Sequence, residues 1–114
     1  MSVKQYSGII RLDDSGKNVM YTNSLYDTIS KKMINFVVIQ FYSDKNNKTH
    51  QVIKHDFSHG CYNIHKYFLG HSTRIEVRGE ELSAQLFHRI KNDIRLNWKY
   101  YLHAYCLRYL PMEL

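Results

Sequence analysis

Residues 82–110, LSAQLFHRIKNDIRLNWKYYLHAYCLRYL, decide how the rest of the chain has to be arranged. The stretch contains neither Gly nor Pro, and Pro111 ends it. It predicts one long α-helix with Ser83, or the Glu80–Glu81 pair, near its start. At helical spacing Phe87, Ile90, Ile94, Trp98, Tyr101, Tyr105 and Tyr109 make one stripe, with Leu86 and Leu102 at its margins. His88, Arg89, Asn92, Arg95 and Lys99 lie on the other side of the first half. In the second half the pattern changes, and Leu96, Tyr100, Cys106, Leu107 and Leu110 fall on the side expected to be wet. A helix that is apolar all round is covered on all sides. The second half is therefore expected to have a partner, either its own chain or another copy. Leu96, Trp98, Tyr100, Leu107 and Leu110 are the expected interface residues of a homodimer. As a single rod the helix would reach on the order of 40 Å, so it is expected to break or to project.

Upstream, the pattern is that of strands. Residues 4–12 alternate, with Tyr6, Ile10 and Leu12 on one side, and Asp13-Asp14-Ser15-Gly16-Lys17 reads as a turn into a second strand over residues 18–22. Ser24 resembles an N-cap with Asp27 as its capping-box partner, and Leu25, Ile29 and Met33 fit the inner stripe of a short helix; a loop is the alternative. Residues 34–43, with Phe36, Val37, Val38, Ile39 and Phe41, are apolar on both sides and predict a central strand. Asp44-Lys45-Asn46-Asn47-Lys48 is a hairpin turn by composition, and residues 49–55 return as its partner. Ser58-His59-Gly60 breaks the pattern. Residues 62–69 are ambiguous: Ile64, Tyr67 and Phe68 suit a helical turn, which Gly70 could close. Residues 73–78 place Ile75 and Val77 inward and Arg74, Glu76 and Arg78 outward, as a strand with a charged outer face. The sum is an α+β single domain over residues 1–114: an antiparallel sheet of about five strands, a long C-terminal helix packed across one face, and a short helix after the first hairpin.

Composition narrows the partner. Sixteen Lys plus Arg against ten Asp plus Glu give a formal charge of +6, and ten of the sixteen aromatic residues are Tyr. Basic charge favours a polyanionic partner. Two cysteines, Cys61 and Cys106, are not a disulfide framework. No signal peptide is legible at the start, and the apolar runs are shorter than a membrane span, so an intracellular protein with no membrane partner is expected. The richness in Lys, Asn, Ile and Tyr fits an AT-rich coding genome, as in many viruses and mobile elements.

The densest cluster of potential ligands is His55, His59, Cys61, His65 and His71. Three or four of them converging would suit Zn²⁺. No CxxC pair accompanies them, however, and a Gly-containing turn separates His55 from Cys61, so no metal and no other cofactor is expected. Cys61 beside His59 and His65 could be written as a thiol–base pair, but no oxyanion-hole turn or nucleophile elbow is present. An enzyme is not expected.

What remains is basic charge interleaved with aromatic rings. Tyr rings that stack on bases and Lys or Arg that meet phosphates hold single strands without sequence readout. The candidate nucleic-acid contacts are Tyr42, Lys45, Lys48, Lys54, Arg74 and Arg78 on strands and turns, and His88, Arg89, Arg95 and Lys99 on the helix. In order of elements the chain resembles small single-strand-binding folds such as the Whirly and PUR-type repeats, in which a helix packs on a curved four-stranded sheet. It also resembles oligonucleotide-binding barrels that end in a dimerising helix. No signature motif of these families occurs. The leading expectation is a small basic protein that binds single-stranded DNA or RNA. The alternative is a viral or mobile-element module that inhibits or assembles a host protein complex.

Overall fold

The computed structural model describes residues 2–58, 60–70 and 74–114. Six strands, β1 (Val3–Arg11), β2 (Asn18–Asp27), β3 (Met33–Ser43), β4 (Thr49–Ser58), β5 (Cys61–Lys66) and β6 (Arg74–Val77), form one antiparallel sheet in chain order. The helix α1 (Ala84–Tyr109) follows and packs across one face. The α+β arrangement is as expected, with one strand more.

Local chemistry sets the turns. The Asp13 carboxylate accepts the Gly16 amide at 2.8 Å and the Asn18 side-chain amide at 2.7 Å, while Gly16 takes φ 77°. The Asp44 carboxylate accepts the amides of Asn46 and Lys48 at 2.8 and 3.0 Å, with Asn47 at φ 63°. Asx-type captures of this kind close a hairpin without demanding Gly at every position.

The short helix expected over residues 24–33 does not form. β2 instead runs on to Asp27, paired with β1 on one side and β3 on the other. Asp27 caps a turn, not a helix: its carboxylate accepts the Ile29 amide at 3.1 Å and the Ser30 hydroxyl at 2.9 Å, and Lys31 adopts φ 63°. Ladder bonds on both edges outweigh the weak helical preference of a few residues. The ambiguous stretch divides: residues 61–66 form β5, and only Tyr67–Leu69 make a helical turn, of 3-10 type.

Alternate strand residues point to opposite faces. The face under α1 carries Met20, Phe36, Val38, Ile53 and Tyr62, which join Leu86, Phe87, Ile90, Ile94, Tyr105 and Cys106 in one core. Phe36 sits at its centre, with ring centroids 5.6 Å from Phe87 and 6.3 Å from Tyr62.

The helix starts where the sequence predicts, the Ser83 hydroxyl accepting the Leu86 amide at 3.1 Å. It does not break. Its 26 residues, about 39 Å at 1.5 Å each, fit a molecule 49 Å in its longest dimension. After Pro111 a 3-10 turn (Pro111–Glu113) carries the chain toward the β3–β4 turn. There the Glu113 carboxylate accepts the Tyr42 hydroxyl at 2.6 Å and the Lys45 amide at 3.0 Å. The chain thus covers part of its own helix end. Cys106 is buried, and Trp98 and Leu110 pack half-buried against the core, so these three are not free for a partner. Leu96, Tyr100 and Leu107 remain bare, at 83, 68 and 59% exposure.

Candidate nucleic-acid interface

Among the described residues no helix covers the other face of the sheet. Its β1–β3 half is apolar: Ile9, Val19, Tyr21, Leu25, Val37, Ile39 and Phe41 all stand outside the core under α1. Ile39, between Tyr21 and Lys54 in the sheet, is only 8% exposed. The β4–β6 half is polar. The two halves meet in a single cross-strand row, Ile9–Tyr21–Ile39–Lys54–His65–Arg74, each residue paired with the next. At about 4.8 Å between strands the row spans about 24 Å.

The adjacent row supplies acids and amides: Asn23, Val37, Asp56, Asn63 and Glu76. Asp56 is the hub. Its Oδ2 lies 3.4 Å from His65 Nε2 and 3.9 Å from Lys54 Nζ. Its Oδ1 accepts the Ser58 hydroxyl at 3.2 Å and the Asn63 amide at 3.3 Å. Arg74 lies 4.0 Å from Glu76, which also accepts the Cys61 thiol at 3.2 Å. Asn63 is 2% exposed, yet its Oδ1 has no hydrogen-bond partner among the described residues. Asn63 stands beside Asp56 on the neighbouring strand, its amide shared among Asp56, the Ser58 hydroxyl at 2.9 Å and the Cys61 carbonyl at 3.1 Å. The His65 ring stacks on Tyr67 with centroids 5.8 Å apart at 18°, which fixes the plane of the imidazole.

The structure disperses the other candidate contacts. Lys54 and Arg74 share the helix-free face with His65 and Tyr21. Lys45 and Lys48 stand in the β3–β4 turn, and Arg78 follows β6. His88, Arg89, Arg95 and Lys99 are exposed on α1, with Arg89 paired to Glu80. Tyr42 cannot stack on a base: it faces α1, is buried and gives its hydroxyl to Glu113. Tyr21 and Phe41, which the candidate set lacks, are the aromatic rings of the open face. The signal that marks them is the register of β2 against β3, Tyr21 facing Ile39 and Val19 facing Phe41, and register is not legible in one strand.

The potential metal ligands are divided. Cys61 and His65 are on the helix-free face, whereas His55 points to α1, opposite in parity on the neighbouring strand. His59 and His71 lie outside the described residues. His55 is a core histidine, 4% exposed, and burial drives its imidazole down to about 4. Its Nδ1 is 2.6 Å from the Tyr62 hydroxyl. Burial raises the Tyr62 phenol, which stays protonated and donates to Nδ1, leaving the neutral ring's hydrogen on Nε2 without a partner among the described residues. Beside this pair is a cavity of about 290 Å³, also lined by Lys66, Arg89, Asp93 and Tyr101. Asp93 is already engaged there, accepting the Tyr101 hydroxyl at 2.6 Å and the Asn97 amide at 3.0 Å.

Among the described residues no helix is long and apolar enough to cross a membrane. The chain matches no protein-family model, no curated protein and no solved structure.

Proposed function

We propose that this protein holds single-stranded nucleic acid on the helix-free face of its sheet. The observation that carries this reading is the row Ile9–Tyr21–Ile39–Lys54–His65–Arg74. It sets a stacking ring and apolar surface beside three neighbouring basic side chains. Base–aromatic stacking tolerates any sequence, and phosphates need only fixed cations. The net charge of +6 adds attraction at long range. Anisotropy with labelled single-stranded oligonucleotides tests it. Tyr21→Ala weakens binding by about 1–3 kcal/mol, and Lys54→Ala and Arg74→Ala weaken it and flatten its salt dependence. Arg95→Ala with Lys99→Ala, on the helix, leaves affinity nearly unchanged. No binding at low salt defeats the reading.

A second reading, a protein-interaction module, is favoured by the bare stripe Leu96, Tyr100 and Leu107. The helix carries Arg89, Lys91, Arg95, Lys99 and Arg108 but one acid, Asp93. Two copies laid stripe to stripe would bring like charges together, whereas an acidic protein surface would meet opposite ones. Light scattering separates the cases: a monomer rules out the homodimer, and a dimer dispersed by Leu96→Glu supports it.

A further inference from the structure

We infer that the Asp56–His65 pair makes the helix-free face a ribonuclease centre, in which His65 is the general base. The inference rests on the single-strand reading and extends it from holding the strand to cutting it. It begins with the division of labour in the two central rows. Lys54 and Arg74 flank His65 on the strands either side, each also near a carboxylate, Asp56 at 3.9 Å and Glu76 at 4.0 Å, so a phosphate drawn to either cation is brought to the imidazole's neighbourhood. His65 Nε2 faces Asp56 at 3.4 Å, and no hydrogen bond occupies Nδ1 among the described residues. At this distance the contact is electrostatic and not a hydrogen bond; a negative charge beside Nε2 favours the ring's hydrogen on that side and leaves Nδ1 to take a proton. Asp56 is itself fixed by Ser58 and by the buried Asn63. Tyr67 sets the ring plane by stacking. Each partner of His65 thus restrains a different degree of freedom, as a proton-transfer group requires.

RNA is the substrate class that this equipment suits. Each ribose carries a 2′-hydroxyl next to the phosphorus, so the nucleophile is already in place and needs only a base. His65 takes the 2′-hydroxyl proton at Nδ1, and the 2′-oxygen forms a bond to phosphorus. The P–O5′ bond breaks, and the departing 5′-oxygen takes a proton from water. The imidazolium gives its proton to the hydroxide so formed, which restores the starting state. The products are a 2′,3′-cyclic phosphate and a 5′-hydroxyl. Lys54 and Arg74 meet the extra negative charge of the pentavalent phosphorus. Asp56 acts through His65 and is a positioning residue. DNA, lacking the 2′-hydroxyl, binds on the same row and is not cut.

The test is incubation of the purified full chain with an end-labelled single-stranded RNA and with the DNA of the same sequence, followed by mass spectrometry. Anisotropy is measured on the same samples. The expected result is cleavage of RNA alone, leaving 2′,3′-cyclic phosphate ends, and loss of a cut wherever a single 2′-deoxy residue replaces the ribose. That substitution lies in the substrate and needs no change in the protein. His65→Ala is expected to lower the rate at saturating RNA at least about 100-fold, a readout that loss of affinity alone does not move. Asp56→Asn is expected to lower kcat about tenfold with KM unchanged. Binding of RNA without cleavage overturns the inference and leaves the single-strand reading standing. Cleavage that survives His65→Ala, or that yields 3′-hydroxyl ends, overturns the inference as well. No binding of either strand overturns both.

Discussion

His55 and His65 lie near one another along the chain and do opposite things. His55 sits under α1 as a neutral ring, driven down to about 4 by burial, whereas His65 is on the helix-free face against Asp56. The buried ring has a consequence for stability. Its folded value lies below the ordinary ~6.5 of an unfolded histidine, so the unfolded chain takes up a proton first as pH falls. The contribution of His55 is constant above about pH 6.5, declines below it, and levels off near pH 4, for a total loss of about 3 kcal/mol. Urea unfolding at pH 7, 5.5 and 4.5 checks this, and a His55→Asn chain shows a flatter dependence across that window. No decline in the wild-type chain between pH 7 and 4.5 contradicts it. Lys31 offers a second residue-scale test. It adopts φ 63°, a conformation that costs a side-chain-bearing residue about 1 kcal/mol. Lys31→Gly is therefore expected to raise the melting temperature by a few degrees.

Among the elements, α1 and β3 are the two that the chain announces. Both are long enough to be recognised: α1 by its stripe of Phe87, Ile90, Ile94 and Tyr105, and β3 by the run Phe36-Val37-Val38-Ile39 with Phe41 and Tyr42 after Gln40. β5 is the opposite case. Cys61-Tyr62-Asn63-Ile64-His65-Lys66 does alternate, but six residues with Ile64, Tyr67 and Phe68 beside them also satisfy a helical turn. Strand pairing to β4 and β6 decides between the two, and that pairing is a long-range fact. The same holds for residues 24–27, where β1 and β3 claim both edges of β2. The candidate site was legible only in its chemistry. Lys54 and Arg74 are recognisable as cations, but their meeting with His65, Asp56 and Tyr21 depends on register across five ladders. The cap of α1 gives a prediction at this scale. Ser83→Ala removes the acceptor of the Leu86 amide and is expected to cost about 1 kcal/mol, read as a lower urea midpoint with the slope unchanged.

For the molecule as a whole, the arrangement is a two-layer one with two uncovered surfaces. The helix buries one side of the sheet and turns Leu96, Tyr100 and Leu107 outward. The sheet turns Tyr21, Phe41 and the polar half outward on the opposite side. The basic residues are spread over both, so charge alone does not choose between them. The sheet face is favoured because only there do a ring, neighbouring cations and an oriented imidazole share one row. If the two phosphates at Lys54 and Arg74 are neutralised there, log K should fall with log salt at a slope of about −1.4 for a single strand.

An NMR titration of the ¹⁵N-labelled chain with a short single-stranded oligonucleotide tests the central claim most directly, because it locates the contact on one face or the other. The account predicts shifts concentrated at Ile9, Tyr21, Ile39, Lys54, His65 and Arg74, with the amides of Arg95, Lys99 and Leu107 unmoved. Shifts confined to the outer side of the helix, or no shifts at low salt, would contradict it.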